Sequence, residues 1–185
     1  MRIIGGQFKG KPILYLRTSV TRPLKDSVKE NIFNIINHSK FIDLDLNGSL
    51  ILDMYSGIGS FGLEALSRGA KKITFIEKDT SALKFLEKNI ENLSVQEKVQ
   101  VIKKDIYDSL KNKKLKKYDF FFLDPPFVDK SFYEIIKIIK ETKIYKKNSV
   151  IIIHRDKKTE DDFKNLLSIF LIKTYGRSKV LFGKF

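Results

Sequence analysis

SLILDMYSGIGSFGLEALSR, residues 49–68, combines an apolar strand, a glycine-rich turn and a helix. Glycines at such a turn let the backbone approach a ligand closely, at the edge where open α/β sheets bind their ligands. The spacing Gly57-x-Gly59-x-x-Gly62 matches the dinucleotide-binding fingerprint. The fingerprint alone is a weak signal, because similar glycine turns also join strands to helices without binding anything.

The succession of strand and helix continues through most of the chain. Apolar runs predict strands at residues 49–54, 72–76, 99–103, 118–123 and 149–153. Amphipathic runs predict helices at residues 24–37, 61–68, 81–93 and 132–140, with a polar helix at about 158–167. Such alternation predicts an α/β fold with a mostly parallel sheet and helices on both faces. Two last β-prone runs, at residues 169–175 and 179–182, predict an antiparallel pair at the sheet edge.

The N-terminal segment differs from the rest of the chain. Residues 2–16 contain two short β-prone runs interrupted by glycines and Pro12, which predicts a hairpin-like arm. A chain of 185 residues suits one globular domain with a short extension. We therefore predict a hairpin-like extension over residues 1–20 and a single domain over residues 21–185.

Composition and charge exclude several classes of protein. The 36 Lys and Arg residues exceed the 22 Asp and Glu residues by 14, which favours a polyanionic partner; a solvated lysine-rich surface is the simpler alternative. The chain has no cysteine, and His38 and His154 are too isolated to form a zinc site, so we expect no metal. The sequence contains neither a signal peptide nor an apolar run of membrane-spanning length, so we expect a soluble, cytoplasmic protein.

Acidic residues at the ends of successive predicted strands indicate which ligand the turn would take. Asp53 precedes the first glycine by several residues. At that position a carboxylate could face a cationic amino group but would repel a pyrophosphate. Glu77 suits ribose hydroxyls, while Asp105 and Ile106 could recognise an adenine amine and cover its ring. A ligand with an amino acid, a ribose and an adenine but no phosphate is S-adenosylmethionine. The predicted cofactor-binding residues are Asp53, Tyr55, Ser56, Gly57, Gly59, Glu77, Lys78, Asp105 and Ile106.

The tetrapeptide Asp124-Pro125-Pro126-Phe127 follows directly on residues 120–123, whose unbroken apolar sequence predicts a strand buried on both faces. Two prolines fix the backbone, so the Pro125 carbonyl and the Asp124 carboxylate could together accept both protons of a planar exocyclic amine. Phe127 offers a face on which a base could stack. The alternative is a proline-rich strand end with Phe127 packed in the core.

This tetrapeptide resembles the signature [Asn/Asp]-Pro-Pro-[aromatic] of S-adenosylmethionine-dependent methyltransferases that modify amino groups. Over nearly its whole length the chain is similar to the bacterial RsmD-type 16S ribosomal RNA guanine-N2 methyltransferases. Beside the tetrapeptide, the residues that carry the similarity are Arg2-Ile3-Ile4-Gly5-Gly6, Lys9-Gly10, Arg22-Pro23, Asp26-Ser27-Val28-Lys29-Glu30, Phe33-Asn34, residues 52–59, residues 62–70 and Glu77. Leu24 stands where the family usually has Thr, and the C-terminal third matches only in pattern.

The resemblance implies a Rossmann-like class I methyltransferase fold and methyl transfer from S-adenosylmethionine to the N2 amine of a guanine in 16S ribosomal RNA. It implies that the tetrapeptide, Pro126 included, is catalytic, and that Phe127 receives a base turned out of its stack. The partner would be 16S ribosomal RNA or a small-subunit particle, bound by a monomer. The arm and its neighbouring segment would contact RNA phosphates through Arg2, Lys9, Lys11, Arg17 and Arg22.

Other functions stay open at this point. The tetrapeptide equally suits an adenine or cytosine amine in DNA or another RNA, although little chain is left for the recognition domain that sequence-specific DNA methyltransferases carry. A third candidate is a non-catalytic, basic RNA-binding assembly factor. An NAD-dependent dehydrogenase has the least support, because neither His38 nor His154 is expected near the ligand-binding edge of the sheet.

Overall fold

The computed structural model of the protein describes residues 1–15, 24–111, 115–126 and 128–185. These residues form one seven-stranded sheet, made of β1 (Leu50–Met54), β2 (Lys72–Ile76), β3 (Val99–Ile102), β4 (Tyr118–Leu123), β5 (Tyr145–Asp156), β6 (Ser168–Tyr175) and β7 (Ser178–Lys184). The α-helices are α1 (Asp26–His38), α2 (Ser60–Ser67), α3 (Thr80–Asn92), α4 (Ile106–Leu110) and α5 (Phe132–Thr142). A single 3-10 turn, Gln96–Lys98, precedes β3.

The strand order is β3-β2-β1-β4-β5-β7-β6. The first five strands are parallel, and β7 runs antiparallel to both β5 and β6. The chain leaves β1 toward β2 and β3 and then returns to place β4 on the other side of β1. Open α/β sheets bind ligands at such a reversal, outside the carboxyl ends of the strands. The predicted parallel sheet and the antiparallel C-terminal pair are confirmed.

β4 separates two apolar cores because successive side chains of a strand point to opposite faces. Phe120 and Phe122 pack with α1, α2 and α3, whereas Phe121 and Leu123 pack with α4 and α5. The rings of Phe61 and Phe122 stack with their centroids 3.9 Å apart, which seats α2 on the centre of the sheet. Within the described residues, no helix combines the length and the apolar character that a membrane crossing requires.

Residues 158–167 form turns and extended segments, so the helix predicted there is wrong. The Asp156 carboxylate accepts from the Lys158 N–H at 2.8 Å, and the Asp162 carboxylate accepts from the Lys164 N–H at 2.9 Å. Aspartates that bind the backbone two residues further on offer it an alternative to helical hydrogen bonds. β5 also begins four residues earlier than predicted.

The N-terminal arm packs on the domain. An isolated antiparallel bridge joins Arg2 to Pro12, and Ile3 and Ile13 are buried in the same core as α1 and α2. The predicted boundary at residue 20 lies outside the described residues. The described part of the arm is therefore attached through apolar burial as well as through its backbone.

Glu64 of α2 anchors this arm. Its two carboxylate oxygens accept from the backbone N–H groups of Ile4 and Gly5 at 2.7 and 2.8 Å. The Lys29 ammonium lies 3.5 Å from the same carboxylate, and the Arg68 guanidinium donates to it at 2.8 Å. The side chains of Glu64 and Lys29 are fully buried, so one charged cluster ties the arm, α1 and α2 together.

Candidate active site

The carboxyl ends of β1, β2, β4 and β5 meet at one edge of the sheet. The loop after β1 uses left-handed backbone, with φ of 57° at Tyr55, 54° at Gly57 and 82° at Gly59. A Cβ atom at Gly62 would lie 2.4 Å from the Phe75 ring, so a glycine there lets α2 pack closely on β2. The glycine spacing therefore produces a tight turn that brings the start of α2 to this edge.

Asp53 lies under the glycine loop and is 1% exposed. Its Oδ2 accepts from the Gly62 N–H at 3.0 Å, whereas its Oδ1 has no hydrogen-bond partner among the described residues. Burial raises the pKa of Asp53 well above its ordinary value despite the Gly62 N–H, and the charges of Asp124 and Glu77 raise it further. A buried carboxylate with one unpartnered oxygen suits a cationic donor, the type of group expected to contact Asp53.

Glu77 holds the glycine loop from the end of β2. Its Oε2 accepts from the Gly57 N–H at 2.7 Å, and its Oε1 accepts from the N–H groups of Lys78 and Asp79, each at 2.8 Å. Each oxygen of a carboxylate can accept more than one hydrogen bond, so these contacts leave capacity for hydroxyl donors. The structure brings Glu77 and Gly57 into direct contact, and ribose binding by Glu77 stays a prediction.

The predicted residues after β3 have different surroundings. Asp105 accepts from Lys78 Nζ at 2.9 Å and caps α4 by accepting from the Tyr107 N–H at 2.9 Å. These two hydrogen bonds, the one from Lys78 first, lower the pKa of Asp105. Ile106 is 7% exposed and packs in the core beside α5, so little of its surface is available to a ligand. Adenine recognition by Asp105 stays a prediction.

Tyr55 and Ser56 connect the loop after β1 to its neighbours. The Tyr55 hydroxyl donates to Asp129 in the loop after β4 at 3.3 Å, while the Ser56 hydroxyl donates to the Ile76 carbonyl at 3.2 Å. Burial, with the nearby Asp129 charge, raises the pKa of Tyr55 and keeps its hydroxyl protonated. Both side chains therefore hold the loop in place.

His154 lies beside the tetrapeptide, so the expectation that neither histidine would lie near this edge is wrong. The pairing of Leu123 with Ile153 in the register of β4 and β5 sets Asp124 opposite His154, and His154 Nδ1 lies 2.8 Å from Asp124 Oδ1. The two residues are 30 positions apart, and only the adjacency of β4 and β5 brings them together. The available signal was that His154 directly follows the strand predicted at 149–153.

Arg155, the next residue of β5, supports the loop after β4. Its Nη1 donates to the Pro126 carbonyl at 3.1 Å, and the Asp129 N–H donates to the same carbonyl at 2.9 Å. Its guanidinium lies 4.4 Å from the centroid of the Phe132 ring, and its Nε pairs with the buried Asp161 at 3.3 Å. The sequence carried no motif for this contact, because a lone arginine at a strand end is common.

The predicted RNA-binding residues divide into two groups. Arg2, Lys9 and Lys11 are exposed on the arm. Arg17 and Arg22 lie outside the described residues, as does Phe127, the predicted stacking residue. The three described side chains are accessible to a polyanion.

Asn89 of α3 links the arm to the glycine loop. Its Oδ1 accepts from the Leu14 N–H at 2.8 Å, and its Nδ2 donates to the carbonyls of Leu14 at 3.0 Å and Ile58 at 3.1 Å. No sequence pattern indicates Asn89, because contacts across 75 positions leave no local signal. A single buried amide thus holds two segments that border the site.

Known proteins share both the sequence and the fold. The family model described as conserved hypothetical protein 95 matches residues 1–184. Ribosomal RNA small subunit methyltransferase D of Haemophilus influenzae is 35% identical over 85% of this chain and 79% of its own length. The Bacillus subtilis protein YlbH, provisionally named an rRNA methyltransferase, is 31% identical over 86% of this chain and 85% of its own length.

A solved structure gives the same result. The Escherichia coli protein yhhF, provisionally described as a methyltransferase, superposes with a TM-score of 0.82 at 26% identity, over 99% of this chain and 96% of that one. The family match and this superposition both extend from the arm through the antiparallel strands. The chain therefore belongs to the conserved hypothetical protein 95 family, the RsmD family of class I methyltransferases.

Proposed function

We propose that this protein transfers a methyl group from S-adenosylmethionine to the exocyclic N2 amine of a guanine in 16S ribosomal RNA. The observation that carries the proposal is the position of Asp124, at the carboxyl end of β4 and next to the reversal between β1 and β4. Relatives named ribosomal RNA small subunit methyltransferase D support RNA of the small subunit as the substrate.

The residues at the ends of β1 and β2 fit this cofactor. Among the described residues, Oδ1 of Asp53 is a buried acceptor without a hydrogen-bond partner, which costs free energy until a donor reaches it. No atom of the described residues lies within 4 Å of the position that a Cβ atom of Gly57 would take, which leaves space for a ligand beside this part of the glycine loop. Asp53 would hold the cationic amino group, Glu77 the ribose hydroxyls and Asp105 the adenine amine.

The residues after β4 supply the acceptors that the target amine needs. The lone pair of a guanine exocyclic nitrogen is delocalised into the ring, so acceptors on its N–H groups favour a more localised and more nucleophilic lone pair. The Asp124 carboxylate and the Pro125 carbonyl are neighbouring acceptors on a backbone that the prolines restrict. When bound, S-adenosylmethionine supplies a methyl group on a cationic sulfonium, and the main task left to the protein is to position the amine.

Charge and available space support an RNA substrate. The formal charge of +14 favours a polyanion, and three exposed basic residues lie on the described part of the arm. A cavity of about 780 Å³ borders the loop after Asp124 and is lined by Val128 and Tyr133 among other residues. Its lining also includes Glu160, Asp161 and Asp162, so the cavity alone does not define where a base would lie; a nucleotide turned out of its stack would be received by Phe127.

Methyl transfer to small ribosomal subunits from cells that lack this gene tests the proposal. The purified protein is incubated with tritiated S-adenosylmethionine and with subunits, free 16S RNA or DNA, and the labelled nucleic acid is digested to nucleosides. We expect label in N2-methylguanosine, and none in subunits from cells that carry the gene. Label in adenine or cytosine would overturn the guanine target, and a failure to bind S-adenosylmethionine at all would favour the assembly factor.

A further inference from the structure

The amine chemistry proposed above needs one oxygen of Asp124 to point in a fixed direction. A carboxylate has two equivalent oxygens, and the terminal torsion of an aspartate side chain is broad. The asparagine form of the signature presents only one acceptor oxygen. A carboxylate at this position therefore needs a second group that occupies one oxygen and leaves the other to the amine.

His154 is placed to be that group. Its Nδ1 lies 2.8 Å from Asp124 Oδ1, and its side chain is 11% exposed while that of Asp124 is 25% exposed. A carboxylate only accepts hydrogen bonds. His154 Nδ1 therefore carries the proton and donates a hydrogen bond to Asp124 Oδ1. The imidazole is thus mostly enclosed, whereas part of the carboxylate stays accessible from the site.

The end of β5 that carries His154 is held rigidly. The register of β4 and β5 is continuous from Phe120 opposite Val150 to Leu123 opposite Ile153. The next residue, Arg155, is 2% exposed and anchored by its contacts with the Phe132 ring and Asp161. The distance between His154 and Asp124 is therefore set by the sheet.

We propose that His154 is a positioning residue for amine methylation, which directs Oδ2 of Asp124 toward the target amine by donating from Nδ1 to Oδ1. The inference rests on the proposed function. In this proposal His154 orients the Asp124 carboxylate and does not take up the proton that the amine releases.

Two substitutions of His154 distinguish the effect of its hydrogen-bond donor from the effect of its side-chain volume. His154→Asn places an amide nitrogen close to the position of Nδ1, whereas His154→Leu fills similar space without a donor. We expect His154→Leu to lower kcat on small subunits about 10- to 100-fold, the loss of a hydrogen bond to a charged group, with KM for S-adenosylmethionine within about twofold of wild type. We expect His154→Asn to recover most of that loss. The matched control is His38→Leu, a substitution at an exposed histidine, which should leave kcat at the wild-type value.

Equal losses in His154→Asn and His154→Leu, or wild-type kcat in His154→Leu, would overturn the proposal. Nitrogen-15 NMR of the imidazoles gives a readout that needs neither RNA nor activity, because the chain has only two histidines and the exposed His38 serves as an internal reference. We expect His154 to be protonated at Nδ1 in the wild type and to shift toward the Nε2-protonated form in Asp124→Asn. An Nε2-protonated His154 in the wild type contradicts the orienting hydrogen bond, whereas absence of methyl transfer by the wild type contradicts only the proposed function.

Discussion

At the scale of single residues, two aspartates at the same sheet edge have different environments. Asp53 is buried, and one of its oxygens has no hydrogen-bond partner in the described part of the chain, whereas Asp124 is partly exposed and hydrogen-bonded to His154. The charge of Asp124 contributes to the raised pKa of Asp53, so the two carboxylates are electrostatically coupled. Their environments suit different tasks, a binding task for Asp53 and an orienting task for Asp124.

Asp124→Ala is expected to lower turnover strongly while cofactor affinity changes little. The reason is that the Asp124 carboxylate accepts hydrogen bonds from the target amine chiefly in the transition state. Asp124→Asn should keep partial activity, since an amide oxygen can also accept from the amine. Single-turnover rates on small subunits and calorimetric titration with S-adenosylmethionine measure the two effects separately. Wild-type turnover in the alanine variant would show that the tetrapeptide is only a strand end.

Asp53 gives a prediction about stability and pH. Because burial raises its folded-state pKa, the folded protein holds a proton that the unfolded chain releases above about pH 4. The contribution of Asp53 to stability therefore falls as the pH rises toward the folded-state pKa, by about 1.4 kcal/mol for each unit by which that pKa is raised. Asp53→Asn keeps an acceptor for the Gly62 N–H but removes the titration.

We expect Asp53→Asn to be more stable than wild type at pH 8 and to lose this advantage toward pH 4. Urea unfolding at a series of pH values measures the difference. Asp43→Asn makes the same chemical change at an exposed position and should reproduce the wild-type profile. A variant that is less stable than wild type at pH 8 would contradict this account of Asp53.

The sequence predicted those residues of this candidate site that belong to a local pattern. Glycines 57, 59 and 62 and Asp124 belong to short motifs, and the structure places all of them at the predicted edge. His154 and Asn89 were missed because their partners lie 30 and 75 positions away. Such contacts depend on which strands and helices become neighbours in the fold, and the local spacing of residues does not predict those neighbours.

At the scale of elements, α2 has two functions. Its first turn follows the glycine loop at the site, and its Glu64 holds the N-terminal arm. Burial lowers the pKa of Lys29, and the Glu64 carboxylate opposes that shift. The pair is therefore a buried charge and its closest counter-charge, and removal of Glu64 leaves Lys29 only the partly exposed Asp26 carboxylate, 4.0 Å away.

Glu64→Gln is expected to destabilise the protein by about 3 to 5 kcal/mol, because Lys29 stays buried and keeps only the more distant, partly exposed Asp26 as a counter-charge. The amide nitrogen of Gln would also face the backbone donors of Ile4 or Gly5. Glu87→Gln removes an exposed surface pair with Lys103 and should cost less than about 1 kcal/mol. Thermal unfolding of both variants measures the contrast, and equal melting temperatures would contradict the role assigned to the Glu64 cluster.

The elements that the sequence predicted correctly are those with strong apolar periodicity, such as α1, α3, α5 and the parallel strands. The segment 158–167 was wrongly predicted as a helix because its composition is polar and its few apolar residues fit a helical spacing. Asp156 and Asp162 bind nearby backbone N–H groups there, and Asp161 pairs with Arg155 and Lys179. Tertiary charge pairs and local turns therefore determine this segment, and neither is visible as periodicity.

At the scale of the whole molecule, the positive charge predicts how RNA binding responds to salt. Each phosphate contact contributes about 0.7 to 0.9 to the slope of log affinity against log salt. Replacing Arg2, Lys9 and Lys11 together by Gln should therefore reduce that slope by about 2 to 3. S-adenosylmethionine carries no phosphate, so its affinity should change little with salt.

A matched triple variant tests whether RNA binding depends on where the basic residues lie or only on the net charge of the protein. Lys116 and Lys117 directly precede β4, at the end of the strand opposite Asp124, and Lys111 follows α4; replacement of these three exposed lysines by Gln removes the same charge. We expect this variant to keep the wild-type salt slope. Filter binding of 16S RNA at several salt concentrations compares the two variants, and equal slopes would show that the arm makes no special contribution.

The position of β7 between β5 and β6 has a consequence for how the last part of the protein folds. β6 precedes β7 in the chain, yet in the described sheet it pairs with β7, and the outer edge of β5 also pairs with β7. Until β7 docks, β5 and β6 both display unpaired strand edges, and such edges promote pairing with other chains. A variant that ends at Arg177 should therefore aggregate during refolding far more than the full chain, as light scattering would measure.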